Sequence, residues 1–420
     1  MAERLKKQEK RIGRNGAVGI SIIIGLIFLT AVTFAGNPAF PSREADPFPH
    51  PEELEPSIEF WKKVYTVYTT EEGIIHDSDD LTVIYEVINL ADIADLKKLR
   101  NTRIRNVKEK YRNILSSITR KRGLNLNKEE ERVFNLFSDK SMKRLIEAQY
   151  SIRFQLGQKD RFIQGIQLSY RYLDHIKEII ADMDLPEKLI YLPHVESSFN
   201  YMAFSKFGAA GIWQFTRDTG KQYLKINSAI DERLDPIKSS HAALKHLQDN
   251  YSKVQSWPLA IIAYNYGLAG MRRAVEGLDT TDVVEILCRH NGRTFGFASR
   301  NFYCEFLAAC EIAENYRDYF GEIDIEEPLR FQAYQLKKDV LLKDIMKYTG
   351  LDKGIIKKYN PAIRRPAILS QHHLPKGFDL KLPDDRDYQL DAFFMDYRSP
   401  KPVRVTSIDK PPLQKSVAQP

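Results

Sequence analysis

Apolar and polar positions divide the chain into stretches of different period. Between residues 16 and 36 the sequence GAVGISIIIGLIFLTAVTFAG contains no charged position. From Ile58 to about Tyr150, segments such as LTVIYEVINLADIADLKKLRNTRIRNVKEKYRNILSSI place apolar residues three and four apart among charges. That period predicts packing helices with solvated faces. DRFIQGIQLSYRYLDHIKEIIADMDLP continues as an amphipathic helix until Pro186. Proline is accepted in a first helical turn, so PEKLIYLPHVESS reads as a new, short helix, apolar on both sides of Glu196. Residues 236–276 give two further helices, the first with Asp235 as its cap and Pro236 at its first position. Residues 297–316 give another.

The texture changes near residue 329. LRFQAYQL alternates like a strand, LLKDIMKYTG and DKGIIKKYN are short helical units, and LPKGFDLKLP is a turn followed by an alternating strand. This order predicts a small α+β module of the form βααβ. Beyond it the chain is polar and proline-containing, and disorder is expected. The fold class is therefore mainly α, with strand signals scarce before residue 329.

The formal net charge of +7 resides at the ends. Residues 1–15 carry a net +4 and residues 401–420 a net +3, which leaves the body neutral. A neutral body lacks the basic footprint that phosphate backbones require, so no nucleic-acid partner is expected. The basic head precedes the uncharged stretch, whose roughly 21 residues would rise about 30 Å as a helix, enough to span a bilayer. Positive charge in front of it keeps the N-terminus in the cytoplasm. Residues 1–36 thus read as a basic head with a membrane anchor at 16–36, or as a signal peptide released after cleavage near Ala35. Either way, the chain beyond residue 40 lies outside the cytoplasm. Residues 37–56, rich in proline, read as a linker.

The cysteines are Cys288, Cys304 and Cys310. An odd count excludes complete pairing within one chain. Cys304 and Cys310 lie on one predicted helix, where six residues rise about 9 Å, too far for a disulfide. Buried free thiols are the expectation. HExxH and CxxC patterns are absent, His241 and His246 point apart on a helix, and His372–His373 offers poor shared-ligand geometry. No metal, cofactor or glycine-rich phosphate loop is implied, and Ser197 and Ser198 lack a nucleophile elbow.

Glu196 is the remaining candidate. Taken alone, a glutamate at a helix end is a surface charge. Here Val195 and Phe199 flank it, and burial would raise its pKa by desolvation. A carboxyl kept protonated near neutral pH is what a general acid needs, and glycoside cleavage needs one to protonate the leaving oxygen. The following GAAGIWQF supplies glycines where backbone can approach a sugar, Trp213 for an apolar face and Gln214 for hydrogen bonds. AYNYG at 263–267 adds Tyr264 and Asn265, although alone it reads as a helix end capped by glycine. An ordinary glycosidase needs a second carboxylate. None lies between Ser197 and Arg217, and Asp231, Glu232 and Asp235 in DERLDP read as turn and cap chemistry. A single acid is expected, with the substrate supplying its own nucleophile.

Together these pieces resemble the lytic transglycosylases of the goose-lysozyme-like superfamily, most closely their membrane-bound D type. The motifs are Glu196–Ser197, the turn Gly211-Ile212-Trp213-Gln214, Ala263 to Gly267, and a tyrosine on a later helix, Tyr303 in ASRNFYCEF. The likeness spans about residues 155–315. One departure is Tyr266, where small residues or histidine are common in the family. Residues 331–383 resemble LysM, a module that binds N-acetylglucosamine-containing glycans, through YNP at 359–361 and LPKGFDLKLP. The usual Gly-Asp-Thr after the first strand is replaced by KKDVLLKDI, which separates the implied fold from the implied glycan binding.

The resemblance implies a helical, lysozyme-like catalytic domain at 155–325 of SLT type. A helical region at 57–154 precedes it; a LysM-like module at 329–385 and a disordered tail at 386–420 follow. It implies peptidoglycan glycan strands as the partner and the periplasmic face of a bacterial envelope as the location. Glu196 would be catalytic, with Ser197, Trp213, Gln214, Tyr264, Asn265 and Tyr303 binding substrate. The alternatives are a lysozyme-like hydrolase and an inactive murein-binding scaffold.

Overall fold

The computed structural model describes residues 46–398. The uncharged stretch at 16–36 and the chain from residue 399 lie outside the described residues.

The chain enters along the surface of the main helical lobe. Phe48 is buried, its ring 5.0 Å from that of Phe306 and 6.2 Å from that of Trp257. The described part of the expected linker is therefore a docked strap. It leads into α1 (Glu55–Thr66), which buries Ile58, Phe60, Trp61, Val64 and Tyr65.

A hairpin follows where helix was expected. β1 (Glu72–Asp77) and β2 (Ile84–Asn89) are antiparallel, and the sheet order is β2-β1-β3, with β3 (Ile152–Leu156) on the other side of β1. The hairpin turn is closed by the Asp77 carboxylate, which accepts from the backbone N–H groups of Asp79 (2.8 Å) and Asp80 (3.1 Å). Between β2 and β3 run α2 (Lys97–Arg120), α3 (Lys128–Phe134) and α4 (Met142–Ser151). Their apolar faces form a separate core with the sheet, including Tyr85, Tyr111, Leu115, Val133 and Leu145. Residues 72–156 are thus a small α/β unit, and α1 is part of the main lobe.

The lobe continues with α5 (Lys159–Ser169), α6 (Leu173–Asp182), a tight turn of helix at Glu187–Tyr191, and α7 (Leu192–Ser197). After the short α8 (Arg217–Gly220) come α9 (Pro236–Val254), α10 (Trp257–Tyr266), α11 (Leu268–Leu278), α12 (Val283–Arg289), α13 (Phe297–Glu314) and α14 (Tyr316–Phe320). The Asp235 carboxylate caps α9 as expected, accepting from the backbone N–H of Ile237 and Lys238. α10 is buried from Trp257 to Ala263. A helix apolar on all sides is the centre of a lobe, and here α9, α11 and α13 pack around it.

The last part has the expected strand–helix–helix–strand order: β4 (Phe331–Gln335), α15 (Leu342–Thr349), α16 (Lys353–Tyr359), then a short α17 (Arg365–Ile368) and β5 (Asp379–Pro383), antiparallel to β4. The expected disorder from residue 386 does not hold for the next ten residues. α18 (Leu390–Asp396) lays Leu390 and Phe394 on the module's core, with the Phe394 ring stacked on Tyr334 at 5.7 Å.

Candidate active site

α7 is one and a half turns long, and the chain stops it with two successive residues in the left-handed region, Ser198 (φ 50°) and Phe199 (φ 52°). This sharp exit leaves Glu196 at the helix end, half-buried, beside the turn at 210–215. The Ser197 hydroxyl fixes that neighbourhood by donating to the Ile212 carbonyl at 2.9 Å. Ser197 therefore holds helix to turn.

The turn itself requires glycine. Gly211 has φ 80°, and a Cβ there would lie 1.8 Å from the Arg233 carbonyl oxygen. Arg233 clamps the turn from outside, donating to the carbonyls of Gly208 (2.7 Å) and Phe215 (3.0 Å), while its guanidinium pairs with Asp231 at 2.8 Å. Gln214, also left-handed at φ 46°, donates its amide to the Gly211 carbonyl at 2.8 Å and closes the turn. Trp213 does not offer its face to a groove. It is fully buried, and its indole N–H donates to the Ser240 hydroxyl at 2.8 Å.

From α10, the Tyr264 hydroxyl donates to the Trp213 carbonyl at 2.8 Å, so the helix and the turn are joined there. Burial and the charge of Glu196 both push the Tyr264 hydroxyl upward, which keeps it a neutral donor. Asn265, next along, is exposed, and its Oδ1 accepts from the Ser299 hydroxyl of α13 at 2.9 Å. Ser197, Gln214 and Tyr264 are therefore joined at the glycine turn next to Glu196, whereas Asn265 is tied to α13. Tyr303 does not join them. It is fully buried, and its hydroxyl donates to the Pro49 carbonyl of the strap at 2.8 Å.

No described residue hydrogen-bonds the Glu196 carboxyl or faces it with a cation. Burial, and after it the charge of Glu305, push its pKa up to about 8. Glu305 on α13 was not expected at the site. It is half-buried and equally without a hydrogen-bonding partner, and desolvation pushes it up to about 8 as well. A second carboxyl, 109 residues away in sequence, therefore adds its charge to the surroundings of Glu196. Tyr65 of α1 feels both charges, and burial with their repulsion holds its hydroxyl neutral. Neither residue carries a motif. The usable signal was an acidic residue inside the otherwise apolar NFYCEFLAAC.

His194, two residues before Glu196, is buried, with Phe162 stacked on its ring at 4.9 Å, and desolvation lowers it to about 3. It is a neutral packing group at working pH. Cys304 and Cys310 are buried free thiols, as expected, whereas Cys288 is an exposed one.

Residues 176–282 match the family described as Transglycosylase SLT domain. The matched segment contains Glu196, the glycine turn and the end of α10, while α1 and α13, which complete the surroundings of Glu196, lie outside the match. The chain is 27% identical over 203 residues to membrane-bound lytic murein transglycosylase D of Escherichia coli K12, covering 46% of this chain and 43% of that protein. It is 33% identical over 109 residues to a putative tributyltin chloride resistance protein of an Alteromonas species, covering 26% and 53%. The chain thus spans less than half the length of the first of these relatives. Among solved structures, the 70 kDa soluble lytic transglycosylase of Escherichia coli aligns over 44% of this chain and 32% of its own at 20% identity and a TM-score of 0.31.

Proposed function

We propose that the chain is a peptidoglycan lytic transglycosylase that cleaves the β-1,4 bond between N-acetylmuramic acid and N-acetylglucosamine. The observation that carries this reading is Glu196, a desolvated carboxyl with no cation and no hydrogen bond, held as an acid to about pH 8 beside a clamped glycine turn. The SLT match over the same residues supports it.

In the first step Glu196 donates its proton to the glycosidic oxygen as the C1–O bond breaks. The same carboxylate then takes the proton of the sugar's 6-hydroxyl as that oxygen bonds to C1. Glu196 ends as it began, no water is consumed, and the product carries a 1,6-anhydro ring. In this reading the exposed Asn265 side chain, whose Oδ1 accepts from the Ser299 hydroxyl, meets the N-acetyl group. The βααβ order supports a LysM-like fold for residues 329–385. The uncharged stretch at 16–36 supports anchoring on the periplasmic face of an envelope membrane. Among the described residues no helix is long and apolar enough to cross a membrane.

Glu196→Gln should fold normally and release no muropeptides from purified murein. Wild-type turnover by this variant would remove Glu196 from the reaction. One observation favours a second reading, hydrolysis by water, since Glu305 supplies the second carboxyl that a lysozyme-like mechanism needs. Mass spectrometry of the digest separates the two, because the anhydro product is one water lighter than the reducing sugar.

A further inference from the structure

The body of the chain is neutral as a whole, yet α2 is strongly basic, with Glu109 as its single acid. Several of its cations are neutralised locally. Arg103 pairs with Asp92, Lys110 with Glu86, and Arg112 with Glu109. Arg105 and Lys108 pair with no described residue. They line a surface cleft of about 280 Å³ together with Asn101, Ile104, Glu109 and Arg112.

β3 adds a third cation without an acid. It is an edge strand of the sheet, and α2 packs on it. The Arg112 Nε donates to the Gln149 carbonyl at 3.3 Å, just before β3 begins. Arg153 stands on that strand, exposed, with its guanidinium carbon 4.1 Å from the centre of the Phe297 ring. A guanidinium held against an aromatic face keeps its N–H donors free at its edge. No described carboxylate takes them. Desolvation lowers the pKa of Lys108 and of Arg153, and the charges of Arg112 and Arg153 add to the shift of Lys108. Partly desolvated cations without an acid are costly, and an arriving anion relieves that cost.

Phe297 opens α13, and Ser299 in the same first turn donates to Asn265 at 2.9 Å. The Arg153 side chain therefore reaches the Asn265 end of the candidate site. A glycan strand offers such a group nothing, because its sugars are uncharged once each muramic acid is joined to a peptide. The peptides carry the free carboxylates.

We propose that Arg153, with Lys108 and Arg105 of the α2 cleft, receives a carboxylate of the peptide that hangs from N-acetylmuramic acid, so that the α/β unit adds a peptide subsite to the groove. The proposal rests on the reading of the chain as a peptidoglycan lytic transglycosylase and names the part of the substrate that the sugar-binding residues leave unread. The planar fork of Arg153, held on Phe297, suits a bidentate contact with a carboxylate.

The test compares soluble glycan strands that bear uncross-linked peptides with the same strands after an amidase has removed the peptides. The full chain is used in phosphatidylglycerol nanodiscs, as wild type, Arg153→Gln and Lys108→Gln. Arg153→Gln should raise KM about tenfold on peptide-bearing strands with kcat unchanged, the size of one lost charge-assisted contact, and should cleave stripped strands as wild type does. Lys108→Gln should act in the same direction, and it decides the matter if Arg153→Gln does not fold. An equal loss on both kinds of strand, or a loss on neither, overturns the peptide subsite. If instead exchanging phosphatidylglycerol for phosphatidylcholine changes turnover by wild type and not by Arg153→Gln, the patch meets the membrane surface and the subsite is overturned. Affinity for end-labelled strands, measured in the Glu196→Gln background, separates the subsite from the catalytic reading. A preference for peptide-bearing strands that Arg153→Gln abolishes supports the subsite even in a chain whose wild type cleaves nothing. Cleavage by wild type without that preference overturns the subsite alone.

Discussion

At the scale of single residues, the short motifs around Glu196 were legible because each depends on local backbone chemistry. Gly211 is the clearest instance. Its positive φ and the 1.8 Å approach of the Arg233 carbonyl oxygen to a notional Cβ leave no room for a side chain. Gly211→Ala should therefore force the turn off Arg233 and cost about 2–3 kcal/mol of stability, the range for a strained backbone plus displaced hydrogen bonds. Murein cleavage should fall at the same time, because Ser197 and Tyr264 are both bonded to carbonyls of this turn. Urea unfolding together with turnover on sacculi measures both losses, and an unchanged midpoint would show that the turn yields without cost. What was not legible at this scale is which way an aromatic points. Trp213 and Tyr303 carry family-like positions, yet one bonds Ser240 inside the lobe and the other the strap. Glu305 was missed for the opposite reason: the search for a second carboxylate stayed near Glu196 in sequence, and helix packing supplied it from α13.

At the scale of elements, the long helices and the capped start at Asp235–Pro236 followed from period and cap chemistry, and the first sheet did not. β2 carries IYEVIN, whose apolar positions also fit a three-and-four spacing when read together with the following LADI. Short apolar runs cannot be assigned by period alone. Pairing with β1 decides the matter, with the Asp77 turn fixing the register. α1 shows the same limit. Its pattern predicts a helix and is silent on its partner, which is α13. The indole of Trp61 donates to Asn301 across this contact, which also carries the Lys62–Glu311 ion pair. Trp61→Phe keeps most of the apolar contact and leaves the buried Asn301 Oδ1 without its donor, a loss of about 1–2 kcal/mol. Chemical denaturation is the measurement. A variant as stable as wild type would mean that this hydrogen bond adds nothing to the apolar packing and the Lys62–Glu311 pair.

At the scale of the whole molecule, the sequence divides into modules more cleanly than the described structure does. The core of the C-terminal module takes in Ala229 and Ile230 from the SLT domain, and Ile230 bridges to Ile363 as a short β pair. Backbone hydrogen bonds cross the boundary from Asp231 N–H to the Ala362 carbonyl (2.8 Å) and from Arg364 N–H to the Ala229 carbonyl (2.9 Å). Lys381 on β5 is only 4% exposed and pairs with Asp235, 3% exposed, the residue that also caps α9. A module on a flexible tether would melt apart from the helical lobe. This one shares a buried ion pair with the lobe's own helix cap, so the two should unfold together. Lys381→Met leaves Asp235 buried without its cation, and breaking a buried pair from one side costs about 3–5 kcal/mol. The two backbone N–H groups that Asp235 still accepts from place the expected loss at the lower end of that range. Calorimetry should show one transition in both proteins, at a lower temperature in the variant. If instead a separate small transition shifted while the main one stayed in place, the module would be an independent unit, and its orientation toward Glu196 would not be fixed by this contact.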